Sequence, residues 1–290
     1  MAPRAHKMIE SSDAVRIALH DLGGPSDTTA PVLLFAHATG FHGRVWEPMA
    51  SWLSDEFRCV SLDLRGHGMS ELPSGAELAW SGMADDVLAA LHSGRLSAGP
   101  LHGIGHSMGG AALVIAAAVR PAAFRSLWLY EPVIVPPEDR PLLAGDNPMS
   151  EAAARRRNTF DSFDQAYENY RAKAPLDQLH PDALRAYVDG GLVQSPEGSV
   201  TLRCRPSTEA EVFRHAAASG AWDTLDSLEI PVAIVVGRPE DIGPGAFAPA
   251  IAAALPRGTL VERPHLGHFG PLEDPASMAA DVAAWVRAHP

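Results

Sequence analysis

One stretch of sequence, Leu101–Ala112, decides the fold of this chain; it reads LHGIGHSMGGAA. A short apolar run leads into the pentapeptide GHSMG, with Ser107 at its centre, and small residues follow directly. This order predicts a strand, a sharp turn and a helix, which is the context of the G-x-S-x-G nucleophile turn. Gly105 and Gly109 are needed because a Cβ atom at either position would collide with the adjoining strand or helix. Ser107 is therefore a candidate nucleophile, and the alternative is a plain Gly/Ser turn.

Apolar runs on both sides of this stretch predict the other strands. The candidate strands are Val15–Leu19, Val32–Ala36, Cys59–Leu64, Leu101–His106, Ser126–Tyr130, Val232–Val236 and Leu260–Glu262. The candidate helices between them are Ser81–Ser93, Gly109–Val119, Ala246–Leu255 and Ala276–Ala288. Most strand runs are continuously apolar, as expected for strands that are covered on both faces. The pattern predicts an α/β fold with a mostly parallel, twisted sheet flanked by helices.

The alternation stops after Tyr130. Residues 133–223 begin with several prolines and continue with polar segments of helical character, at about Ser150–Ala174, Asp182–Asp189 and Thr208–Ala218. An insert of this size, placed before the penultimate core strand, predicts a helical cap (lid) over the carboxyl edge of the sheet. The core would then comprise residues 1–132 and 224–290. Ordinary packing helices are the alternative for the insert.

Composition excludes several classes of function. The 290 residues include 23 Lys and Arg but 35 Asp and Glu, giving a net charge of −12. Such a chain binds phosphate backbones and anionic lipids poorly, so we expect neither nucleic acid nor membrane as a partner. The longest apolar stretch, Met108–Val119, is far shorter than the ~20 residues that span a bilayer. Met1–Glu10 contains no apolar core of a signal peptide. We therefore expect a cytoplasmic protein.

Cysteine and histidine usage predicts no metal and no cofactor. The two cysteines, Cys59 and Cys204, are far apart in the sequence and are expected to be free thiols. Thirteen histidines are present, but the close pairs lie in Gly-containing loops without a cysteine beside them. This arrangement does not resemble a zinc site.

Two further loops follow predicted strands on the N-terminal side. His37–Phe41, which reads HATGF, can offer the backbone N–H of Thr39 as an oxyanion donor beside that of Met108. The stretch DLRGHGMS at Asp63–Ser70 is interpreted as a Gly-rich turn braced by an Asp–Arg pair, without a chemical role.

A histidine follows the last predicted strand. His268 lies in the segment PHLGHFGPLEDP, after every candidate acid, as the chain order Ser, acid, His of such a triad requires. His265 is the competing base, and the GHF setting favours His268.

In this order and spacing, HATGF, DLRGHGMS, GHSMGG and GHFGPLEDP resemble the α/β-hydrolase superfamily from about Ala14 to the C-terminus, with the insert as the variable cap. The resemblance implies Ser107 as nucleophile, His268 as base, and Thr39 and Met108 as the oxyanion hole. The first loop departs from the family, which usually has His-Gly where this chain has His-Ala.

The triad acid has two candidates. The usual position in the family follows the strand Val232–Val236, where Asp241 fits and is favoured, with Glu240 as its neighbour. Glu131, at the end of the strand Ser126–Tyr130, is the alternative. Haloalkane dehalogenases and zearalenone-type lactonases resemble that second arrangement. Both strands end at the same edge of the sheet, so both acids remain candidates.

A serine nucleophile favours acyl transfer over the opening of alkyl halides or epoxides. We expect a serine hydrolase that cleaves a small-molecule carboxylic ester or lactone through an acyl-enzyme. Other triad chemistry stays open: a C–C bond hydrolase, a thioesterase, a perhydrolase or a hydroxynitrile-lyase-like enzyme. A non-catalytic ligand receptor also stays open. For the assembly, a monomer and a homodimer are both compatible with the sequence.

Overall fold

The computed structural model describes residues 6–94, 96, 99–239 and 243–290. The strands are β1 His6–Glu10, β2 Arg16–Gly23, β3 Val32–Ala36, β4 Arg58–Asp63, β5 Leu101–His106, β6 Ser126–Tyr130, β7 Thr159–Phe160, β8 Leu192–Gln194, β9 Val200–Leu202, β10 Val232–Val236 and β11 Gly258–Glu262. The helices are α1 Glu47–Ala50, α2 Trp80–His92, α3 Met108–Val119, α4 Arg140–Leu143, α5 Pro148–Ala154, α6 Phe163–Arg171, α7 Pro181–Gly191, α8 Pro206–Arg214, α9 Ala248–Ala254, α10 Gly270–Glu273 and α11 Pro275–Ala288.

The main sheet of the described residues has the strand order β1-β2-β4-β3-β5-β6-β10-β11. In this sheet β4, β3, β5, β6, β10 and β11 run parallel to one another, while β1 and β2 form an antiparallel edge. Every residue of β3, β5, β6 and β10 is buried, because helices cover both faces of the sheet centre. The predicted α/β fold class, a mostly parallel sheet flanked by helices, is confirmed.

Alternate residues of the central strands enter two separate hydrophobic clusters. Leu34 and Ile234 pack on one face with α2, α3 and α9. Leu33 and Val235 pack on the other face with α11 and with apolar residues of the insert. Each such side chain contributes about 1.5–3 kcal/mol by leaving water. The loops at the carboxyl edge of the sheet are therefore carried by a rigid scaffold.

Four strands, β3, β5, β6 and β10, have the bounds that their apolar runs predict. Strand β1 was not predicted, since it is a half-exposed edge strand whose pentapeptide HKMIE contains only two apolar residues. Strand β2 begins one residue after its predicted start and continues to Gly23, and β11 begins two residues before its predicted start. Apart from Leu22, the added residues are polar residues or glycines, so no apolar run marks them.

The insert between β6 and β10 contains α4 to α8 and a small antiparallel sheet in the order β7-β9-β8. The prediction of one long helix at Ser150–Ala174 is wrong, because α5 ends at Ala154 and α6 begins only at Phe163. Ser162 caps α6 by accepting a hydrogen bond from the N–H of Gln165 at 3.1 Å. Strands β7 to β9 have two or three residues each, too few to produce a periodic signal.

Buried hydrogen bonds join the insert to the core. The imidazole Nε2–H of His42 donates to the carbonyl of Tyr187 in α7 at 3.0 Å, and the indole N–H of Trp80 donates to the carbonyl of Val212 in α8 at 2.9 Å. These bonds fix two insert helices against the sheet edge. The division into a core and a helical cap (lid) stays a prediction.

Within the described ranges, no helix has both the length and the apolar character needed to cross a membrane. The same residues contain no group of three or more His, Cys, Asp or Glu side chains arranged to hold a metal ion.

Candidate active site

Ser107 stands at a strained turn between β5 and α3. Its backbone has φ 54° and ψ −119°, a conformation that costs a residue with a Cβ atom roughly 1–3 kcal/mol. Surrounding backbone bonds impose it: the N–H of Ser107 donates to the carbonyl of Tyr130 at 3.1 Å, and its carbonyl accepts from the N–H of Val133 at 3.2 Å. The turn is thus fixed to the end of the neighbouring strand β6.

The glycines of the turn allow this close approach. A Cβ atom on Gly105 would lie 2.6 Å from Cα of Gly110, and one on Gly109 would lie 2.3 Å from the carbonyl oxygen of Ala36. Both distances are far below ordinary contact. The collisions are those that the sequence predicts, with the adjoining helix and strand.

His268 lies in the loop after β11 and contacts a carboxylate. Its Nδ1–H donates to Oε2 of Glu131 at 2.6 Å, and Oε1 of Glu131 accepts from the N–H of Gly237 at 2.9 Å. Because a carboxylate can only accept, this bond puts a proton on Nδ1 and leaves Nε2 of a neutral imidazole as an acceptor. Glu131 is buried at the end of β6, and its φ of 40° turns the chain there.

The structure thus brings one of the two candidate acids to His268. Asp241, which the sequence favours, lies outside the described residues, as does Glu240. His265, the competing base, is exposed.

Three side chains that the sequence analysis did not single out hold the loop of His268. The hydroxyl of Tyr130 donates to the carbonyl of Gly267 at 2.7 Å, and Nε2–H of His106 donates to the carbonyl of His268 at 2.8 Å. The carboxylate of Glu273 accepts from the backbone N–H groups on either side of His268, at 2.8 and 3.1 Å. His106 and Glu273 lie inside quoted motifs and could have been found there, whereas nothing in the sequence distinguishes Tyr130.

Thr39, on the loop after β3, lies beside Met108, the first residue of α3. The hydroxyl of Thr39 contacts the sulfur of Met108 at 3.3 Å. Among the described residues, the backbone N–H groups of Thr39 and Met108 have no hydrogen-bond acceptor. The loop forms with Ala38 in the usual glycine position, since the Ala38 carbonyl accepts from the N–H of Phe41 at 3.1 Å.

Two buried histidines, His37 and His67, accept hydrogen bonds from backbone N–H groups at and beside the loop His37–Phe41. Nε2 of His37 accepts from the N–H of Leu64, and Nε2 of His67 accepts from the N–H of Gly40, both at 3.0 Å. Burial lowers the pKa of His37 to about 3 and that of His67 to about 4, so both rings stay neutral and can accept.

The predicted ion pair within the turn Asp63–Ser70 is wrong. Arg65 instead pairs with Asp86 of α2 at 2.9 Å, and both side chains are fully buried. Asp63 lies 2.9 Å from Nε2 of His20 and accepts from the N–H of Gly43 at 2.6 Å. The two charges of the turn thus point to different elements, and sequence neighbours were a poor guide to their partners.

Ser107 and His268 line one cavity of about 420 Å³ between the sheet edge and the insert. Aromatic walls come from Phe41 on the first loop and from Tyr187 and Phe213 in the insert. Apolar walls with a few polar groups are typical of sites for small molecules.

A second groove of about 310 Å³, near Cys59, lies elsewhere on the surface. Burial raises the pKa of the Cys59 thiol to about 12, so this groove offers no thiolate nucleophile.

Comparison with known proteins identifies the family. A profile described as "Alpha/beta hydrolase family" matches residues 33–282. The chain belongs to the α/β-hydrolase family. Among solved structures, E-2-(acetamidomethylene)succinate hydrolase superimposes on this α/β-hydrolase with a TM-score of 0.80 at 21% identity, covering 98% of this chain and 99% of the other. At that identity the similarity concerns the fold.

Curated relatives of this α/β-hydrolase carry the names of esterases and other hydrolases. Pimeloyl-[acyl-carrier protein] methyl ester esterase of Methylococcus capsulatus is 35% identical over 99 residues, which are 34% of this chain and 36% of that protein. 3-Oxoadipate enol-lactonase 1 of Acinetobacter baylyi is 25% identical over 228 residues, 76% of this chain and 75% of the lactonase. The match to the first of these relatives spans only about a third of its length.

The buried histidines of this α/β-hydrolase predict loss of stability in mild acid. Burial lowers the pKa to about 3 in His37 and to about 4 in three others, His42, His67 and His102. In the unfolded chain each pKa is near 6.5, so between pH 4 and 6.5 the unfolded chain binds more protons, and the free energy of unfolding falls as the pH falls. Each of the four histidines is expected to lower the free energy of unfolding by about 2 kcal/mol as the pH falls from 6.5 to 4.5.

Urea denaturation at intervals between pH 7.5 and 4.5 measures this loss. The urea midpoint should fall steeply below pH 6.5. His67→Gln, which keeps an acceptor for the N–H of Gly40, should flatten the dependence by about one proton. A midpoint that stays constant down to pH 4.5 would contradict the prediction.

Proposed function

We propose that this chain is a serine hydrolase that cleaves a small-molecule carboxylic ester or lactone through an acyl-enzyme. In this proposal Ser107 is the nucleophile, His268 the general base and Glu131 the acid that orients it. The backbone N–H groups of Thr39 and Met108 form the oxyanion hole.

One observation carries the proposal: the buried Glu131 carboxylate contacts Nδ1 of His268 at 2.6 Å, beside a cavity that Ser107 and His268 line together. A carboxylate in this position orients the imidazole and balances the charge of the imidazolium. The arrangement favours Glu131 over Asp241 as the acid.

The reaction follows from these positions. The Ser107 hydroxyl attacks the substrate carbonyl while its proton passes to Nε2 of His268. The tetrahedral oxyanion accepts hydrogen bonds from the N–H groups of Thr39 and Met108, aided by the N-terminal end of α3. The imidazolium then protonates the leaving alcohol, and water, deprotonated by His268, cleaves the acyl-enzyme.

The acyl chemistry has support from the family. Two relatives are named as a methyl ester esterase and an enol-lactonase, and both names describe hydrolysis of a carboxylic ester bond. A serine in the nucleophile turn suits the acyl-enzyme route of such hydrolases.

The test is labelling of the folded chain with a fluorophosphonate, followed by peptide mapping. This reagent reports an activated serine without requiring a known substrate. We expect modification at Ser107 alone, and no modification in Ser107→Ala or His268→Ala. The matched control is His265→Ala, which removes the exposed neighbouring histidine and should label normally.

Absence of labelling in folded wild-type chain would refute the proposed nucleophile and favour a receptor. Labelling at Ser107 without hydrolysis of any ester or lactone would favour lyase-type chemistry on the same residues. Ester screening by acyl size should follow a positive label.

A further inference from the structure

The charged side chains that line the active-site cavity are mostly cations. Arg156, Arg157 and Lys173 line it, and Glu209 is the carboxylate among its described lining residues. Glu131 lies behind His268 and does not line the cavity. This excess of positive charge stands in a chain whose net charge is −12. A local field opposite in sign to that of the whole protein concentrates anions at a cleft.

Arg156 and Glu209 neutralise each other. Their side chains form an ion pair at 2.5 Å, and Arg156 also donates to the hydroxyl of Tyr187. The ion pair packs against Gly40 in the loop after β3. A Cβ atom on Gly40, which has φ +79°, would lie 2.5 Å from Oε1 of Glu209. The uncompensated charge of the cavity is therefore that of the other two cations.

Arg157 and Lys173 are held by neutral groups. Nε of Arg157 donates to the carbonyl of Thr159 at 2.7 Å, and its guanidinium lies 4.5 Å from the ring centroid of Phe160. Nζ of Lys173 donates to the amide oxygen of Asn169 at 2.8 Å. Neither cation has a carboxylate within 4 Å among the described residues, although both are oriented by their contacts.

Most other arginines of the insert do have acidic partners. The arginines outside the cavity that lie within 4 Å of a carboxylate are Arg140, Arg155, Arg171, Arg185 and Arg214. Arg203 and Arg205 are the exceptions. Four of the ten Lys and Arg side chains of the insert thus lack a carboxylate within 4 Å among the described residues, and two of these four line the cavity that contains Ser107.

We propose that the substrate carries a carboxylate, which Arg157 and Lys173 bind at the insert side of the cavity while the ester or lactone carbonyl lies at Ser107. This inference rests on the proposed function and adds the substrate class. The aromatic walls would contact the apolar body between the two groups. Arg157 and Lys173 are then specificity-determining residues, which act on substrate binding and on the rate of encounter.

The test compares three benzenesulfonyl fluorides that differ only at the para position: carboxylate, isopropyl and aminoethyl. Each reacts by replacement of fluoride by the Ser107 oxygen, with the serine proton passing to His268. The isopropyl group has the shape of the carboxylate without its charge. Each second-order rate of inactivation is divided by that reagent's rate of hydrolysis in buffer, and peptide mapping verifies Ser107 as the modified residue.

We expect the carboxylate reagent to react about tenfold faster than the isopropyl reagent at low salt, and the aminoethyl reagent to be the slowest. The carboxylate advantage should shrink as salt is added. In the double variant Arg157→Gln, Lys173→Gln, the carboxylate-to-isopropyl ratio should fall to about one.

The matched control is the double variant Arg155→Gln, Arg171→Gln. It removes the same charge from positions two residues away, where each arginine is exposed and paired with a glutamate. This control should keep the wild-type carboxylate-to-isopropyl ratio. If the ratio falls equally in both double variants, the effect comes from net charge alone, and Arg157 and Lys173 do not form an anion site.

A carboxylate reagent that is no faster than the isopropyl reagent, including the case in which none of the three reacts, overturns the anion site. Fluorophosphonate labelling of Ser107 in the same preparation separates that result from a failure of the proposed function. With labelling, only the substrate class is wrong; without labelling, the nucleophile is wrong as well.

Discussion

Glu131→Gln is expected to lower kcat/KM for ester hydrolysis by about 10⁴-fold, as the loss of the carboxylate does in a serine protease triad. The reason lies in the bond between Glu131 and Nδ1 of His268 at 2.6 Å. A glutamine can present its amide N–H₂ to Nδ1, which moves the imidazole proton to Nε2 and leaves no acceptor for the serine proton. Asp241→Asn, by contrast, is expected to retain most of the activity.

The two variants should be measured side by side with one activated ester, with Glu240→Gln as a neighbour control for Asp241. Thermal unfolding of each variant checks that the fold is kept. A large loss in Asp241→Asn with a small loss in Glu131→Gln would make Asp241 the acid. Large losses in both would mean that two carboxylates share the role.

Ser107→Ala is expected to lower kcat/KM by at least about a thousandfold while the chain stays folded, since only the oxyanion hole and substrate binding then remain. Residual activity above a thousandth of the wild type would refute Ser107 as the nucleophile.

Ser107→Gly provides a second readout of the same residue. At φ 54° a Cβ atom is strained, so glycine should raise the free energy of unfolding by about 1 kcal/mol relative to Ser107→Ala. Chemical denaturation of the two inactive variants measures this difference. Equal free energies of unfolding in the two variants would mean that the backbone of the nucleophile turn is not strained at Ser107.

The central part of the fold could be predicted because its signals are local. Strands β3, β5, β6 and β10 are buried on both faces, and β3, β6 and β10 accordingly consist almost entirely of apolar residues, while β5 is marked by the glycine-rich turn that follows it. The nucleophile turn at Ser107 is indicated by the glycines within two residues of it. His268 is indicated by its position after the last strand. Each of these features needs only its own segment of chain.

The remaining features depend on contacts between distant segments. The choice of acid depends on which carboxylate meets His268 in space, and Glu131 is 137 residues away from it in sequence. Tyr130 holds the same loop through its hydroxyl, and nothing in the apolar sequence of its strand distinguishes that hydroxyl. The small strands of the insert are defined by pairing with one another and carry no periodic pattern.

The hydrogen bonds from His42 and Trp80 to the insert limit how its specificity can be redesigned. Both acceptors are backbone carbonyls, so an insert transplanted from a relative keeps these bonds only if its helices bring a carbonyl to the same two places; otherwise each N–H is buried without an acceptor, at a cost of about 1–3 kcal/mol. A graft of the whole segment therefore has to reproduce the positions of α7 and α8 against the core. Point substitutions at Arg157 or Lys173 leave those two bonds intact and change only side chains that line the cavity.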